Sequence, residues 1–65
     1  MDPNTNLKEQ RELVARLVKL EKYPDAMSAT ELQTYAENAM RLVDLVEALD
    51  EWLSKSGSLP DAWRK

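Results

Sequence analysis

Sixty-five residues with nine basic and twelve acidic side chains, a net charge of -3, and neither Cys nor His set narrow limits. The length allows one domain, and at that size folding buries only roughly 60% of the surface that the unfolded chain exposes. Disulfides, thiolate chemistry and the two commonest transition-metal ligands are excluded together, which leaves self-association as the usual remedy for a small core.

In chain order, Asp2-Pro3-Asn4-Thr5 reads as a helix start, where Asp2 or Asn4 can cap and Pro3 loses nothing by lacking an N–H. The first helix is expected over about residues 3–22. At about 100° per residue, Leu7, Leu13, Val14, Leu17, Val18 and Leu20 fall in one broad sector, with Lys8, Glu9, Glu12, Arg16 and Lys19 opposite. Pro24 breaks the pattern. The short connector, residues 23–28, predicts that the next helix folds back antiparallel.

The second helix is expected over about residues 29–55. Ser28 and Glu31 form a capping box, and Met27 and Leu32 are placed for a hydrophobic staple. Leu32, Tyr35, Ala39, Leu42, Val46, Leu49 and Leu53 make one stripe at spacings of three and four. Lys55 supplies positive charge at the end, Gly57 can take a left-handed conformation, and Pro60 forbids continuation. In the tail, residues 56–65, Pro60 and Asp61 can open a short helical turn that places Leu59 and Trp63 on one face.

The anomaly is the width of the apolar sector on the second helix. Ala36 and Val43 flank one side of the stripe, Leu45 and Trp52 extend the other, and Met40 lies just outside. Together they cover roughly half the circumference, more than the 100° or so that one helix partner needs. Either the tail covers the surplus or another chain does. The second reading makes Tyr35, Val43, Leu45, Val46, Leu49, Trp52, Leu59 and Trp63 the candidate surface for self-association or a partner.

Catalytic constellations are missing from this pattern. Asp44, Glu47 and Glu51 face water on the stripe analysis, with Lys55 and Arg41 spaced for weak surface pairs. No Ser or Thr has a His base, and one glycine makes no phosphate-cradling loop. These features argue against an enzyme, a metal site and any cofactor. Lys8, Arg11, Arg16, Lys19 and Lys22 lean basic, but Glu9, Glu12 and Glu21 interrupt them, which argues against nucleic-acid binding. No apolar run approaches the roughly eighteen residues of a membrane span, and the N-terminus lacks the pattern of a secretory signal.

Met1-Asp2-Pro3-Asn4, the run from Leu45 to Lys55 (LVEALDEWLSK), Gly57, Leu59-Pro60 and Ala62-Trp63 together resemble a group of small helical proteins encoded by bacteriophages of actinobacteria, including mycobacteriophages. Ser56 and Ser58 stand where that group has a second glycine and an aromatic residue. The resemblance implies a viral product made in the host cytoplasm and supplies no activity.

The expectation is therefore an all-α protein, an antiparallel helical hairpin with a short C-terminal helical turn, paired as a homodimer into a four-helix bundle. Its expected role is an accessory one, exerted by protein–protein interaction with a host or phage protein. The alternative is a small regulator of transcription or phage immunity acting on nucleic acid.

Overall fold

The computed structural model describes residues 1–22 and 28–64. Among these the architecture is all-helical: α1 spans Pro3–Glu21, α2 spans Ala29–Ser54, and a single 3-10 turn spans Asp61–Trp63. The connector residues from Tyr23 to Ala26, and the staple residue Met27, lie outside the described residues.

The starts of both helices follow from their caps. Asp2 is the N-cap of α1: its Oδ1 accepts from the Asn4 N–H at 2.9 Å and its Oδ2 from the Thr5 hydroxyl at 2.7 Å. Pro3 occupies the first turn, where no intrahelical donor is required. Ser28 caps α2 by accepting from the Glu31 N–H at 3.2 Å, while the Glu31 carboxylate approaches the Ser28 hydroxyl at 3.4 Å.

Gly57 does not take the left-handed conformation at the end of α2. Ser56 does, with φ 66°. The Gly57 N–H donates to Trp52 O at 2.8 Å and the Ser56 N–H to Leu53 O at 3.1 Å, which is the paired hydrogen-bond pattern of a Schellman stop. Glycine is needed one residue later for a different reason. A Cβ at Gly57 would sit inside the indole of Trp52.

The helices pack against each other over their length. They run antiparallel, because Asn6, Glu9 and Glu21 of α1 meet Leu45, Arg41 and Tyr35 of α2 respectively. Leu7, Leu13 and Leu17 of α1 and Leu45 and Leu49 of α2 form the buried core. The contact line on α2 therefore runs through Asn38, Leu42, Leu45, Leu49 and Trp52, rotated from the stripe that spacing alone predicts. Leu45 moves from the edge to the centre, whereas Leu32 and Val46 of the predicted stripe stay 55% and 48% exposed.

Asn6 accounts for part of this rotation. It is 7% exposed in the middle of the contact line, donates from Nδ2 to Leu45 O at 3.0 Å, and accepts from Gln10 Nε2 at 2.6 Å. A buried amide with both ends satisfied fixes one sliding position of the two helices, because any shift leaves it unpaired.

The tail crosses back over the open end of the hairpin. Pro60 is fully buried. The Asp61 N–H donates to Asn4 Oδ1 at 2.6 Å, and Asn4 Nδ2 donates to Asp61 Oδ2 at 3.2 Å, so a reciprocal pair joins residues 57 positions apart. Trp52 Nε1 holds the start of the tail through Ser58 O at 2.9 Å.

Candidate interaction surface

The hairpin has two unlike sides. In an antiparallel pair, residues displaced from the contact line in the same rotational sense on each helix fall on the same side of the hairpin. At about 100° per residue, Glu9 and Arg41 mark one side, and Glu21 and Tyr35 mark the other.

The first side carries an exposed ion pair between the helices. Arg41 Nε lies 2.6 Å and Nη2 3.2 Å from the two oxygens of Glu9. This forked contact holds the Glu9 carboxyl below its ordinary value, chiefly through the hydrogen bond from Arg41. It crosses between α1 and α2.

The second side is apolar, and near the chain ends the tail lies along it. Trp63 borders a groove of about 190 Å³ with Gln10, Val46, Leu49 and Leu53, while Asp61 and Ala62 lie along Leu7, Lys8 and Arg11 of α1. Apolar side chains on this side stay about half exposed at both heights. Val14 and Val18 of α1 remain 46% and 48% exposed, and Leu32 and Val43 of α2 are each 55% exposed. Ala36 and Ala39 stand between those last two on the helix surface. Among the described residues the Tyr35 hydroxyl donating to Glu21 is the polar link on this side, and that hydrogen bond, ahead of desolvation, raises the phenol above its ordinary value.

The eight residues expected to form one surface are therefore divided among three environments. Leu45 and Leu49 are buried within the chain, against α1. Tyr35 and Trp52 are half-buried, with their polar atoms committed to Glu21 and Ser58. Val43, Val46, Leu59 and Trp63 are open to solvent. Sequence reasoning missed Val14, Val18 and Leu32 as exposed residues because each falls within a regular apolar pattern. It also missed Asn6, although an amide at core spacing from Gln10, Leu13 and Leu17 is a readable signal.

Elsewhere the surface is ordinary. Lys55 pairs with Glu51 at 2.7 Å and Arg64 with Asp61 at 3.7 Å, all four side chains largely in water. Among the described residues no cluster of three acidic side chains is arranged to hold a metal ion, and no helix is long and apolar enough to cross a membrane. No protein family matches the chain, and neither a curated protein nor a solved structure is significantly similar to it.

Proposed function

We propose that this chain is a binding protein without catalytic activity, which pairs with a second copy into a four-helix assembly and acts by engaging another protein. The observation that carries the reading is the set of half-exposed apolar side chains on one side of the hairpin. Val14, Val18, Leu32 and Val43 are each about half exposed there, and apolar side chains grouped on one side of a surface mark interaction sites. The resemblance to actinobacteriophage proteins makes the host cytoplasm the expected place of action and a host or phage protein the expected target.

Sedimentation equilibrium at micromolar concentration tests the proposal. The unaltered chain is expected at about twice its 7.5 kDa mass. Val18→Glu is expected to give a helical monomer, because that side chain is 48% exposed. Met40→Glu, at 68% exposure on the outer face, is expected to leave the mass unchanged. A unaltered chain that stays monomeric with full helix content overturns the reading.

A further inference from the structure

We infer that the outward face of α1 binds the phosphate backbone of duplex DNA, at a site separate from the apolar side used for the association proposed above. In the sequence the cations of α1 alternate with Glu9, Glu12 and Glu21, and the structure sorts them. Glu9 turns to one side of the hairpin, where Arg41 holds it by two hydrogen bonds. Glu21 turns to the other, where it accepts from the Tyr35 hydroxyl. Two of the three interruptions are thereby turned away from the outward face and occupied.

At about 100° per residue, Lys8, Arg11, Ala15 and Lys19, with Lys22 at the C-cap, line the face opposite α2. All of them are exposed. Among the described residues none of these cations enters an ion pair, so their charge is open to a ligand. Glu12 alone stands at the edge of the row. Asp61 of the tail borders the same groove, and Arg64 offsets its charge at 3.7 Å.

Lys8 and Arg11 form one cationic pair and Lys19 and Lys22 a second, with their centres about 16 Å apart along the helix. Ala15 between them keeps the helix surface low enough for close approach. Two such pairs on flexible side chains reach phosphates on both sides of a duplex groove about 12 Å wide. Contacts of this kind fix position and carry no sequence information, so the binding is independent of base sequence.

The net charge of -3 does not oppose this contact at physiological salt. The acidic surplus lies on α2, whose outward edge is two helix diameters away, roughly 20 Å. Exposed charges act over only about 8 Å under those conditions.

Fluorescence anisotropy of a labelled mixed-sequence DNA duplex tests the site. Four phosphate contacts predict a slope of about -3.6 in log K against log salt, or roughly a hundredfold loss of affinity between about 0.05 M and about 0.2 M. Lys8→Ala combined with Lys19→Ala is expected to halve the slope to about -1.8, and Glu12→Lys to steepen it to about -4.5. Circular dichroism should show unchanged helix content in both, because every altered side chain is exposed. A duplex of unrelated sequence is expected to bind equally well. No binding at the lower salt, or the same slope in the double-alanine chain, overturns the site. Binding of poly-glutamate in place of the duplex also overturns it, because the face would then select carboxylates and an acidic protein segment.

Discussion

Ser56 and Gly57 show how much one residue can decide at the end of a helix. Serine at φ 66° pays a steric penalty of about 1–2 kcal/mol in the left-handed region, which glycine does not. Ser56→Gly is accordingly expected to stabilise the fold by about 1 kcal/mol, less whatever the more flexible unfolded chain takes back. Gly57→Ala is expected to cost about 1–3 kcal/mol by driving a methyl group into the Trp52 ring. Thermal melts of the two variants should move in opposite directions. An equal response would mean that the stop is not built as described.

Glu9 supplies a second test at this scale. Its folded-state pKa lies below the ordinary 4.5, first through the hydrogen bond from Arg41 and then through that residue's charge. The stabilisation is therefore complete above that ordinary value and is lost as pH falls through the lower folded one. Asp2 behaves likewise below 3.8, through its bonds from Thr5 and Asn4. Melting temperature followed from about pH 6 to pH 2 should fall less steeply in Glu9→Gln than in the unaltered chain.

For the helices as elements, the sequence was most legible at their ends. Local chemistry places Asp2, Ser28 and Glu31, and replacing Ser28 with Ala is expected to cost about 1 kcal/mol, measured by chemical denaturation. An unchanged midpoint would mean that the cap contributes nothing. Which face of α2 turns inward was not legible, for a physical reason. When half a helix surface is apolar, periodicity fixes the width of the sector but not the direction from which a partner approaches. Here that direction is set by long-range groups: Asn6 on Leu45 O, Glu9 on Arg41, and the tail over Leu53. Leu45, read from spacing as surplus, lies at the centre of the contact, so Leu45→Glu should unfold the hairpin and is no test of pairing.

At the scale of the whole molecule, the Cα framework measures 43 × 21 × 14 Å, a slab with little interior. The tail and the two helices hold one another in place. The Asn4–Asp61 pair is the clearest case, because the Asp61 amide hydrogen is bound by a side chain from the first turn of α1. Fraying of that turn and lifting of the tail are therefore one opening event. In hydrogen exchange the Asp61 amide and the Asn6 amide, which donates to Asp2 O, should share a protection factor and change together with denaturant. Asn4→Ala should uncouple them and let Asp61 exchange first. The two extremities of this chain thus belong to a single cooperative unit, although the sequence sets them as far apart as it can.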